Sequence, residues 1–126
     1  MTDYPPTKDL RKIGTYPSLI PSGGGFLYDK VLEYRVWVHP KNGDNFYKAF
    51  ATYKEAESYS SKTPGAESPL VLVLQKKGHW ASQKENVVAV GEEDRITEWY
   101  PEWLPDRKYS EARLRTILRK RPKKTI

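Results

Sequence analysis

One apolar run dominates the middle of the chain: PLVLVLQ, residues 69–75. Leu and Val occupy both parities of the run, so both faces of a strand there are apolar. A strand of that kind is expected at the centre of a sheet, with cover on each side. The rest of the chain has to supply its neighbours.

Four segments qualify. In EYRVWVHP, residues 33–40, Tyr34, Val36 and Val38 alternate with Arg35, Trp37 and His39, a period of two rich in β-branched and aromatic residues. PKNGDN follows, with Asn42-Gly43 as a turn signal, and FYKAF returns, so residues 32–50 read as a β-hairpin. NVVAV and RITEWYPEWL read as two further strands around the polar corner GEED, and Pro101 is expected to end or bend the last.

Two helices are expected. TYKEAESYSSK opens with Thr52 and Glu55 at capping-box spacing, places Tyr53, Ala56 and Tyr59 on one face, and stops at Pro64-Gly65. SEARLRTILRKR has Ser110 as N-cap, Glu111 in its first turn and Arg119–Arg121 at its end. The order ββαβββα predicts an α+β single domain, a mostly antiparallel sheet with helices packed on one face. We divide the chain into a Pro-rich arm (1–22) lying over the body, an α+β body (23–106), and a basic C-terminal helix and tail (107–126).

At 126 residues the chain is long enough to bury a core, and four Trp with nine Tyr argue against disorder. The absence of Cys excludes disulfides, thiolate metal sites and cysteine nucleophiles. No apolar run reaches membrane-span length, and MTDYPPTKDLRK lacks the apolar core of a secretory signal, so a cytoplasmic, non-membrane protein is expected. The net charge of +6 is unevenly placed. Residues 1–106 hold 13 Lys/Arg against 15 Asp/Glu, a balance of −2, and residues 107–126 hold nine against Glu111 alone, a balance of +8. The excess belongs to a basic arm and not to a basic domain.

Candidate chemistry is sparse. Gly23–Gly25 lies between a Pro-rich arm and a strand, whereas a phosphate loop needs a strand before it and a helix after it, so the run reads as a hinge. His39 and His79 are the only histidines, and no nucleophile motif or metal spacing accompanies them. Arg35 and Arg95 lie on strands carrying Glu33 and Glu98, which predicts Arg–Glu pairs beside Trp37 and Trp99. An open sheet face presenting Arg35, Trp37, Tyr47, Arg95, Trp99 and Trp103 is the sharper expectation, since Trp, Tyr and Arg dominate binding hot spots. A bland solvated face is the alternative. In the tail, Arg113, Arg115, Arg119, Lys120, Arg121, Lys123 and Lys124 suit an acidic surface or a phosphate backbone.

GGGFLYDKVLEYRVWVHP, FATYKEAESYSSKTPGAESPLVLVLQ and RITEWYPEWL, read together, resemble a family of small, poorly characterised bacterial proteins. Its members carry GGG-x-x-YD, LEYRVW-x-HP, FATY-x-EA, TPGAE-x-PL and RITEW segments. The resemblance spans roughly residues 21–104 and implies a bacterial or phage-borne intracellular protein. The family is sometimes labelled GNAT-like acetyltransferase, which implies a Q/R-x-x-G-x-G/A loop for the pyrophosphate of acetyl-CoA. Gln75 and Gly78 match that spacing, and Trp80 stands where the motif has Gly or Ala.

Two functions are therefore expected. The first is a non-catalytic binding or accessory protein, without metal or cofactor, that engages an acidic protein or nucleic acid through its aromatic face and basic tail. The alternative is an N-acetyltransferase binding acetyl-CoA at Gln75 and Gly78.

Overall fold

The structure is a computed structural model that describes residues 4–17, 27–76, 88–90 and 94–108. Five strands form one antiparallel sheet: β1 Lys30–Val38, β2 Phe46–Phe50, β3 Leu70–Gln75, β4 Val88–Val90 and β5 Asp94–Trp99. Their spatial order is β2-β1-β3-β5-β4, so the apolar run forms the middle strand, and all six of its residues are buried. One helix, α1 Tyr53–Lys62, packs on one face. The chain is thus a small α+β fold, as its pattern predicts. The helix expected at residues 110–121 and the basic tail lie outside the described residues, as do Gly23–Gly25, Gly78 and His79. No helix among the described residues is long and apolar enough to cross a membrane.

Strand parity sorts the side chains. Tyr34, Val36 and Val38 of β1, Val71 and Val73 of β3 and Trp99 of β5 join Ala56 of α1 in the larger core cluster. Leu32, Leu72, Leu74 and Ile96 form a smaller cluster on the opposite face. Each fully buried Leu or Val contributes about 1.5–3 kcal/mol relative to exposure. A bulge between Val31 and Glu33 sets the parity of β1: Val31 pairs with Val73 and Glu33 with Leu72, leaving Leu32 as the extra residue.

α1 begins as expected. The Thr52 hydroxyl accepts the Glu55 N–H (3.2 Å) and also lies 3.1 Å from the Glu55 carboxylate. The carboxylate therefore meets the capping hydroxyl itself, where a full capping box would have it on the Thr52 N–H. Ala56 is fully buried, and Tyr53 and Tyr59 pack against the core from the same face. β5 ends at Trp99, and Pro101 opens a 3₁₀ helix, Pro101–Asp106, whose Leu104 and Trp103 close the same core.

Residues 4–17 of the N-terminal arm wrap the sheet. Its start lies on the helix face, where Tyr4 packs edge-on to Tyr53 (4.7 Å between centroids) and the buried Tyr34 hydroxyl donates to the Pro5 carbonyl. The Thr7 and Lys8 N–H groups then donate to the Ala51 and Val31 carbonyls (3.0 and 3.3 Å). After a short 3₁₀ turn, Leu10–Lys12, Tyr16 packs against the cluster on the other face.

Candidate functional site

The face under the arm carries a buried charge network. Glu33, Leu72 and Glu98 stand side by side on β1, β3 and β5, in one row across the sheet. Adjacent strands lie about 4.8 Å apart, so the two carboxylates flank Leu72 with room for one flat cation between them. Arg35, two residues along β1 from Glu33, supplies it. Its Nε donates to Glu33 (2.6 Å), its Nη1 to Glu98 (2.7 Å) and its Nη2 to the carbonyl of Pro17 in the arm (2.6 Å). All three charged side chains are fully buried.

Neighbours complete the network. Trp37 Nε1 donates to the same Glu98 oxygen (3.1 Å), and the Gly14 N–H donates to the second oxygen of Glu33 (2.7 Å). The Tyr47 ring, paired across strands with Trp37, lies 4.4 Å from the Arg35 guanidinium carbon, and its hydroxyl donates to the Tyr16 carbonyl (3.0 Å). The other Glu98 oxygen is buried without a hydrogen-bond partner among the described residues. Burial pushes the Glu98 carboxyl above its ordinary range, against the opposing pull of Arg35 and Trp37. Two carboxylates sharing one guanidinium leave an unbalanced negative charge, and the nearby Glu33 carboxylate adds to the upward push on Glu98. None of the three charged groups reaches solvent, so the network fastens the arm to the sheet.

The six aromatic and cationic residues expected on one face are divided between two. Arg35, Trp37 and Tyr47 share the arm face. Arg95 and Trp99 have the opposite parity on β5 and point to the helix face, where both are buried. Trp99 packs edge-on to Tyr28 and Trp103 (5.6 and 5.8 Å), and burial pulls the Arg95 pKa down to about 10. The expected pairing is half observed: Arg35 meets Glu98, while Arg95 and Glu33 lie on opposite faces.

Gln75 is turned into the protein. Its amide nitrogen donates to the Leu27 carbonyl (2.8 Å), and its oxygen accepts from Arg95 Nε (2.8 Å) and the Thr97 hydroxyl (3.0 Å). The next backbone amide, Lys76 N–H, donates to the Asp29 carboxylate (2.8 Å). His39 is exposed and hydrogen-bonded to Glu67. Among the described residues, no group of three or more His, Asp or Glu is placed to hold a metal ion.

One surface went unread in the sequence. Between β2 and α1 runs an open groove of ≈ 780 Å³ with Phe50 and Tyr59 in its floor and Lys54 and Lys62 among its lining. The Lys48 ammonium lies 5.9 Å from the Tyr59 ring. The one acid among the groove's described lining residues, Glu55, is engaged by the Thr52 cap. Phe50 and Tyr59 belong to different elements, so only the turn from β2 into α1 brings them together, at 5.3 Å between ring centroids. Comparison of the chain with protein-family models, with curated proteins and with solved structures finds no match.

Proposed function

We propose that the protein is a non-catalytic binding module for an acidic protein, with the groove between β2 and α1 as contact surface and the basic C-terminal segment as long-range attraction. The observation that carries this reading is the groove itself: an aromatic floor with Lys48, Lys54 and Lys62 around it. Lysine stems cover apolar surface while their ammonium groups stay in water to meet carboxylates. β2 is the terminal strand of the sheet among the described residues, so its outer edge offers backbone groups to an extended polypeptide. That edge favours a protein partner over nucleic acid. The buried charges support a binding role too, because Glu33, Arg35 and Glu98 are spent on one another and on the arm.

Fluorescence anisotropy with a labelled acidic peptide of alternating Glu and Val tests the reading. Binding should weaken with salt and fall at least about tenfold in Lys54→Glu/Lys62→Glu. The control Lys41→Glu/Lys76→Glu, with the same change in net charge, should retain most of the affinity. Equal loss in both variants, or binding of duplex DNA in place of the peptide, overturns it.

A further inference from the structure

A second, smaller cavity lies on the other side of the sheet. Leu32, Leu74 and Ile96, on the adjacent strands β1, β3 and β5, form its apolar floor. The arm closes it: Lys8, Asp9, Lys12 and Tyr16 line it from above, and Lys30 from the start of β1. Its volume is ≈ 150 Å³. Apolar cavities of that size accept a single benzene-sized molecule. The wall is held in place just beyond the cavity by the bonds from Gly14 to Glu33 and from Arg35 to Pro17.

The charges around this cavity do not balance. Asp9 is the only acid among the described lining residues, and its Oδ1 is engaged by the Arg11 N–H (3.1 Å) and guanidinium (3.5 Å). Three lysines therefore line an apolar recess in which the one carboxylate among the described residues already has a cationic neighbour. A bare phosphate or acetate would leave the floor uncovered, and a neutral hydrocarbon would leave the ammonium groups unmatched. The chemistry that satisfies both is an anionic head on an apolar body of about six carbons, the size set by the cavity.

We propose that the cavity between the N-terminal arm and the Leu32–Leu74–Ile96 floor binds a small carboxylate with an apolar body, of the size of benzoate or hexanoate. The arm is then one wall of a ligand site as well as a cover for the sheet. Binding is independent of the groove on the opposite face.

Titration of the full chain at fixed ionic strength, followed by backbone amide NMR, tests this. Benzoate and hexanoate should shift amides in residues 8–16, 30–32, 74 and 96, saturating with Kd on the order of 1 mM or tighter for ligands this small. Benzyl alcohol, hexanol and acetate should bind at least about tenfold more weakly, since each lacks one of the two recognition elements. Ile96→Phe, which fills the recess, should abolish saturable binding. Lys12→Gln/Lys30→Gln alters only the rim; it should weaken the carboxylates toward the alcohols and decides the question if Ile96→Phe fails to fold. Equal affinity for acid and alcohol, equal affinity for benzoate and acetate, unchanged binding in the lysine variant, or shifts elsewhere on the molecule would each overturn the proposal.

Discussion

Arg35 and Glu98 are bonded at 2.7 Å although a whole strand, β3, separates their own strands. Leu72 lies beneath the link, between the two carboxylates, so the guanidinium bridges the sheet over an apolar side chain. The same guanidinium holds Pro17, which makes one residue the tie between β1, β5 and the arm. Removing one partner of a buried ion network leaves uncompensated charge and costs about 3–5 kcal/mol. Arg35→Leu should lose that much in urea unfolding, a large share of the 5–15 kcal/mol typical of a domain. Arg35→Lys should recover only part, because an ammonium cannot reproduce the fork that reaches Glu33, Glu98 and Pro17 together. An Arg35→Lys variant as stable as the parent would refute the bridging role.

Glu98 gives the network a pH dependence. Burial raises its folded pKa above the ordinary value of 4.5, so the folded state binds more protons than the unfolded state in the range just above 4.5. Stability from this group is then highest at and below 4.5 and declines as pH rises through the folded pKa. Glu98→Gln keeps an acceptor for Arg35 and Trp37 and removes the titration. Urea midpoints measured between pH 4 and 7 should show a downward component in the parent that is absent from Glu98→Gln. Parallel profiles would show that Glu98 stays ionised throughout.

The sheet was legible in the sequence because its signals are local. Both parities of LVLVLQ are apolar, which suffices to place β3 in the middle, and Asn42-Gly43 marked the hairpin, with Gly43 at φ +133. The faces were harder to read. Trp37 and Trp99 look alike in their strands, yet they point to opposite sides, because Trp99 shares the row Tyr34–Val71–Trp99 across the sheet and Trp37 lies three residues from Tyr34. A shift of one residue inverts a face, and nothing near Trp99 encodes the register of β1 on β3. The arm's path escaped for a similar reason. Pro5 and Pro17 predict extended chain, but the bonds that fix it are to Tyr34 and Arg35, 29 and 18 positions away.

Gly65 is a position where no side chain fits. It has φ +81, and a Cβ there would come within 2.5 Å of the His39 carbonyl oxygen. Its own carbonyl accepts the His39 N–H (2.8 Å), and the Glu67 N–H donates to Trp37 (2.8 Å), so this turn continues the pairing of β1 beyond the end of β3. Left-handed backbone costs an alanine about 1–2 kcal/mol before the contact with His39 is counted. Gly65→Ala should therefore lose about 2 kcal/mol or more, while Gly14→Ala, also at positive φ but with nothing near its Cβ, should lose only the conformational part. Thermal or urea unfolding of the two variants side by side separates the terms, and equal losses would remove the His39 contact from the account.

The same turn sets the charge of the exposed histidine. His39 Nε2–H donates to Glu67, and that bond, helped by one to Asn45, raises the imidazole pKa above its ordinary 6.5. Both side chains are about half exposed, at 45 and 49%. A raised folded pKa means that the protonated form is favoured on folding. The contribution is fully present below 6.5 and is lost as pH rises through the folded value. Glu67→Gln removes the carboxylate and should bring the His39 midpoint back toward 6.5 in an NMR titration of its ring protons. Added salt should move the parent in the same direction, because a pair this exposed is screened by ions. A midpoint unmoved by both changes would mean that Glu67 does not set the charge of His39.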